Sequence, residues 1–415
     1  MGLTSSLPAR LGGLPVYLLT ATLARLANEG LKLALILAAA ASPGGIRLGG
    51  MLVAAFLIPA VIAAPFVGRL ADTSTNPTRL YSLAFAFNGA TIAGAGLLLQ
   101  TDVHPVIILV LAALGGTVGP LLQGGLSALV GSIVPKDALH RGYALDVVTY
   151  NVSAILAPAI VAAIAGFISP LASVMILAAL MLSASLTVTS IPMRRKGTAA
   201  SLPVSSPLDG LKAIGTIVPL RSTATATSIA NISNGVLPVA ATLLAADRFS
   251  VNAGVLLSTM AVGALVGSLS YAARPFGTDK PELLVPVIAL IVAIPIGFIA
   301  LTGSTPLALV FFALAGFLGG PQGAAQFSVR DRFSPPPVRT QVFTLSTSLK
   351  TTFAALGSAL AGFIAGAPPS VMLTIAVAAN IIGGTIALAD LARHRGDMPL
   401  RQDEPTHVTA TETAD

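Results

Sequence analysis

Four residues in the first long apolar run can do chemistry that their neighbours cannot. They lie in Ala24-Arg25-Leu-Ala-Asn28-Glu29-Gly-Leu-Lys32, where spacings of 3, 4 and 7 put Arg25, Asn28, Glu29 and Lys32 on one helical face. A carboxyl held between two cations, away from bulk water, changes its protonation in answer to whatever arrives beside it. Glu29 is therefore the first candidate proton carrier, with Arg25 and Lys32 as its flanking charges. The same residues also suit a static Arg25–Glu29–Lys32 network that only keeps helices in register.

Asp146 opens a second stripe, with Thr149, Tyr150 and Ser153 at helical spacing and Asn151 beside it. Counted from the start of its apolar run it is only about 6 Å deep. That depth suits an interfacial carboxylate paired with Arg141, or a second proton-coupling group. Lys350 sits among Thr347, Ser348 and Thr351, too far from either end of its run for its stem to carry the charge out to water. It is placed to bind an anionic substrate group or to balance a carboxylate across a cavity. Gln123, Asn231, Asn234, Gln322 and Gln326 add amides, which with Asn28, Tyr150 and Asn151 form the candidate substrate cavity. Hydrogen bonding between helices accounts for any one of these amides taken alone.

The elements that position these groups follow from composition. Of 415 residues, 54% are hydrophobic and 9% charged, against about 25% charge in a soluble domain. So few charges cannot cover a water-exposed surface, which leaves an all-α polytopic membrane protein. A net charge of +7 brings a nucleic-acid partner to mind, but the cations fall in short clusters between apolar runs rather than in a stripe, so none is expected. The chain has no cysteine and only four histidines, His104, His140, His394 and His407. Those four fall in predicted loops or the tail, so neither a thiol nor a His-based metal or catalytic centre is expected, and no cofactor. An enzyme or receptor is disfavoured: deep carboxylates are scarce and the C-terminal tail is short. The first apolar run is too long for a signal-peptide core.

Twelve segments reach the roughly 20 residues that crossing a bilayer requires: 14–41, 48–70, 79–100, 105–132, 142–168, 170–191, 213–245, 251–273, 283–302, 305–328, 340–366 and 369–391. With both termini cytoplasmic, 18 Lys and Arg residues fall inside and only Arg47 and Arg248 outside, as the positive-inside rule requires. The polar stretch after Pro192 divides the chain into an N-terminal half (1–192), a linker (193–212), a C-terminal half (213–392) and a polar tail (393–415). The halves echo each other. Leu114-Gly-Gly-Thr-Val-Gly-Pro120 precedes Gln123 as Phe317-Leu-Gly-Gly-Pro321 precedes Gln322, and Ser173-Val-Met175 matches Ser370-Val-Met372. Such repeats mark secondary transporters with a site at the repeat interface. Small residues four apart, at Gly115/Gly119, Gly263/Gly267 and Gly362/Gly366, predict close helix packing.

Gly68-Arg-Leu-Ala-Asp72, followed by Arg79, resembles the signature loop of the major facilitator superfamily, with Thr73 where an Arg is expected. The Asn28-Glu29 pair looks like the Gly-Asp of macrolide-efflux-like exporters, and Ala157-Pro158 resembles the antiporter motif of span 5. The resemblance implies twelve helices in two pseudo-symmetric six-helix halves, with spans 1, 4, 7 and 10 lining a central cavity. It makes Gly68, Arg69, Asp72 and Arg79 a cytoplasmic gate rather than substrate contacts. The function it implies is proton-coupled export of a small amphipathic or drug-like molecule by a monomer in the bacterial inner membrane. An importer or facilitator of a sugar, metabolite or siderophore-like compound is the alternative.

Overall fold

A computed structural model describes residues 13–43, 45–193, 206–249, 251, 253–364 and 367–394. Most of the expected linker and tail, 194–205 and 395–415, lies outside the described residues. Among the described residues, twelve long helical segments follow one another: α1 (Leu14–Ala40), α2 (Gly45–Thr73), α3 (Pro77–Leu98), α4 (Pro105–Ile133), α5 (Leu139–Phe167), α6 (Pro170–Thr187), α7 (Val218–Asp247), α8 (Ala253–Ala273), α9 (Pro281–Leu301), α10 (Thr305–Phe333), α11 (Arg339–Phe363) and α12 (Pro369–Arg393). A short helix, Asp209–Thr216, precedes α7. Eight of the twelve carry proline in their first turn, where its missing N–H costs nothing and its fixed φ suits the helix.

Ten of these helices are long and apolar enough to cross a membrane. The expected spans 1 and 11 fall outside that set, although α1 has 27 residues and α11 has 25. Their polarity is the reason: α1 carries Arg25, Asn28, Glu29 and Lys32, while α11 carries Gln341, Lys350 and a run of Ser and Thr. A helix that lines a cavity does not need an apolar surface all round.

One apolar core draws mainly on α1–α6, around Tyr17, Leu31, Phe85 and Leu122, and reaches Phe327 and Phe343. A second gathers Leu244, Phe312 and Met372 from α7, α10 and α12. The Gly263/Gly267 pair does what its spacing predicts. A Cβ at either position would collide with the backbone of Ala313 or Phe317, so α8 and α10 cross at backbone contact. The other two pairs behave differently. Gly115 faces the Thr91 side chain and Gly119 makes only ordinary contact, while Gly362 faces open space and Gly366 lies outside the described residues.

Candidate functional site

The stripe on α1 is divided between two environments. Arg25 reaches back toward the start of its helix, as helical side chains do, and meets Asp146 on α5 at 2.6 Å; the two are 1% and 0% exposed. Asp146 Oδ1 also accepts from the Tyr17 hydroxyl at 2.6 Å, and its Oδ2 accepts from Ser127 at 2.6 Å. The guanidinium donates further to the Asp146 carbonyl, Ser127 and Thr149. Its carbon lies 3.5 Å from the centre of the Tyr150 ring. A buried ion pair is supported by further hydrogen bonds to its members; this carboxylate is met on both oxygens, while the Nε of Arg25 is buried without a partner. The interfacial pairing of Asp146 with Arg141 is therefore corrected: α5 begins at Leu139, α1 and α4 cover Asp146, and Arg141 is exposed.

Glu29 and Lys32 face elsewhere. They pair with each other at 2.6 Å, with side chains 29% and 37% exposed, so Arg25 does not join them. They line a lobe of about 310 Å³ with Asn28, Gln123, Tyr150 and Lys350. Gln123 belongs to a π-helical turn, Leu121–Gly125, inserted in α4, a distortion that recurs at functional sites. Its Nε2 lies 3.5 Å from Glu29 Oε1, and its own Oε1 is buried without a partner.

A second lobe, about 330 Å³, shares Tyr150, Asn231, Thr347 and Lys350 with the first. Asn151, Asn234, Gln326, Phe327 and Arg330 help to line it. Asn234 donates to Asn231 at 2.9 Å, and Asn151 donates to Ala264 and Ser268 of α8. Gln326 Oε1 accepts from both Arg330 (3.1 Å) and Lys350 (3.3 Å). Gln322 instead turns toward α9, donating to the Val285 carbonyl at 3.3 Å, and lines neither lobe. The residue that sequence reasoning missed is Arg330. It counts there as one of three cations at a cytoplasmic helix end, yet it is 2% exposed and packs on Phe327 and Phe343. A larger apolar hollow, about 660 Å³ between α8 and α10, contains none of the expected site residues.

One end of the cavity is shut. Asp72, at the end of α2, accepts from the backbone N–H groups of Thr340 and Gln341 at 2.8 and 2.9 Å. Val338 offers α11 no cap of its own, so a carboxylate from another helix satisfies the orphan donors and meets the positive end of the helix dipole. Gly68 permits this approach, because a Cβ there would lie 2.7 Å from the Gln341 Cα. Arg69 is half-buried and Arg79 is exposed, its backbone N–H held by Asn76. Behind the cap, Tyr143, Phe327 and Phe343 pack with ring centres 6.0 to 6.4 Å apart, and Ser328 of α10 meets His140 of α5. Further in, α2 and α11 separate, and Phe56, Ala60, Thr351 and Ala354 line the lobe between them.

A statistical model of the Major Facilitator Superfamily matches residues 17–362. The uncharacterized MFS-type transporter y4rN of Sinorhizobium fredii is 28% identical over 397 residues, covering 92% of this chain and 95% of that protein. Among solved structures, a bacterial homologue of the iron transporter ferroportin, in an outward-facing state, aligns with a TM-score of 0.74 at 16% identity. That alignment covers 92% of this chain and 99% of the homologue. The fucose:proton symporter of E. coli gives a TM-score of 0.67 at 16% identity over 90% of this chain and 98% of the symporter. The human organic anion transporter MFSD10 gives 0.65 at 16% identity, over 92% and 98%. At such identities the structures speak for the fold alone.

Proposed function

The chain belongs to the major facilitator superfamily, and from that premise we propose that it is a proton-coupled exporter of small amphipathic molecules working by alternating access. It is a multi-pass membrane transporter; coupling, direction and substrate class are our reading. One observation carries it. Glu29 is the single carboxylate lining either lobe among the described residues, half-exposed to the cavity, while Asp146 is sealed behind it. A carboxylate that meets cavity water can load and release a proton, whereas one locked on both oxygens cannot do so without dismantling its neighbours. Lys32 at 2.6 Å, Gln123 at 3.5 Å and Lys350 across the same lobe are the groups that would sense its charge.

Phe56, Leu57 and Tyr150 offer apolar and aromatic wall, with Asn28, Gln123 and Asn231 as hydrogen-bonding points. That mixture suits a molecule with one greasy and one polar end. We place the Asp72 end, and both chain termini, on the cytoplasmic side of the bacterial inner membrane, so that the cavity faces outward; the working unit is one chain. The test is accumulation of a dye and antibiotic panel in an efflux-deficient bacterial host, with and without an uncoupler. Wild type should lower accumulation of at least one amphipathic compound, and both Glu29→Gln and the uncoupler should restore it. Transport that survives both would end the coupling proposal, and uptake in place of efflux would turn the direction to import.

A further inference from the structure

Among the described residues, Arg330 and Lys350 have no carboxylate partner, unlike several other cations of this protein. Arg25 has Asp146, Lys32 has Glu29 and Arg221 has Asp390. Arg330, only 2% exposed, and Lys350 share one neutral acceptor, the Gln326 carbonyl oxygen at 3.1 and 3.3 Å. The lobe they line contains no Asp or Glu among the described residues. Two cations pointing at one amide oxygen repel each other, and the buried Arg330 goes largely unrepaid for its lost hydration. Such an arrangement is stable when a third party brings negative charge between them.

Resting on the cavity assigned above, we propose that Arg330 and Lys350 form the anion-binding subsite of this transporter, and that its substrate is an aromatic or amphipathic monoanion, carboxylate or sulfonate. The fit is chemical on both sides. The guanidinium fork of Arg330 and the ammonium of Lys350 supply donors to a planar or tetrahedral oxyanion. The Gln326 amide stands between the two cations, and Phe327 and Tyr150, with ring centres 6.1 Å apart, offer an apolar wall beside them. The lobe's volume, about 330 Å³, is of the size that takes a small two-ring molecule. Glu29 shares the other lobe with Lys350, but its carboxylate is paired with Lys32 at 2.6 Å and forms no ion pair with Lys350 or Arg330.

The test is equilibrium binding to purified full-length protein in detergent. It uses 1-naphthoate, its neutral isostere 1-naphthamide and the cation 1-naphthylmethylammonium as probes, read by competition or thermal stabilisation. Losing a charged hydrogen-bonding partner costs about tenfold or more in affinity, so wild type should prefer naphthoate to naphthamide by about that factor and hold the ammonium weakest. Lys350→Gln should erase the preference, bringing naphthoate affinity down to that of naphthamide, and Lys350→Arg should keep it. Arg330→Gln should do as Lys350→Gln does; if its burial prevents folding, the Lys350 pair of variants carries the test. Equal binding of naphthoate and naphthamide, preference for the ammonium, or a preference untouched by Lys350→Gln would each overturn the proposal. No gradient is present in detergent, so this outcome is independent of whether Glu29 carries a proton.

Discussion

Two carboxylates of similar standing in the sequence occupy opposite situations in the folded chain. Asp146 looks peripheral because depth along the chain was counted from an apolar boundary, whereas burial is decided by what neighbouring helices cover. Arg330 misleads for the same reason: a cation near Arg332 and Arg339 fits an inside loop, but α10 runs on to Phe333 and turns it inward. Glu29, Lys32, Lys350 and the two asparagines of α7, chosen by 3- and 4-residue spacing, and Gln123, chosen by the Gly and Pro before it, all line the lobes. The Arg25–Asp146 pair gives the residue-scale prediction. Asp146→Leu strands a buried guanidinium and should cost about 3–5 kcal/mol, read as a lower melting temperature in detergent. The double variant Arg25→Met/Asp146→Leu should recover most of that loss. A double variant no more stable than the single one would mean that the pair is not what destabilises the mutant.

At the scale of helices, hydrophobic length and proline punctuation made nearly every element legible. The exceptions are instructive. The lengths of α1 and α11 suit a bilayer but their composition does not, because their polar side chains turn to the cavity or to buried partners on neighbouring helices. The π turn in α4 carries no sequence signal beyond the Gly and Pro around it, yet it sets the angle from which Gln123 looks at Glu29. Small residues four apart announced the α8–α10 crossing and overstated the case at Gly362, where a Cβ would meet open space. The cap across α2 and α11 supplies the prediction here. Asp72→Ala should cost about 1 kcal/mol, the usual worth of an N-cap, and should speed hydrogen exchange of the Thr340 and Gln341 amides. Unchanged protection of those amides would show that the contact does not hold the end of α11.

For the molecule as a whole, the superfamily fold was readable from composition, the positive-inside count and the loop around Gly68 and Asp72; which end stands closed was not. Sidedness can be measured directly, since the chain has no cysteine. An impermeant maleimide added to intact cells should label Thr351→Cys, in the cavity wall, and spare Ser328→Cys, which lies behind the closure. The reverse pattern would place the Asp72 end outside. Tyr150 has a bearing on that architecture as well. One face of its ring carries the Arg25 guanidinium, and the side chain also borders both lobes. A single aromatic plate thus stands between the open cavity and the sealed Arg25–Asp146 pair. The two can work at arm's length only while that plate stays upright.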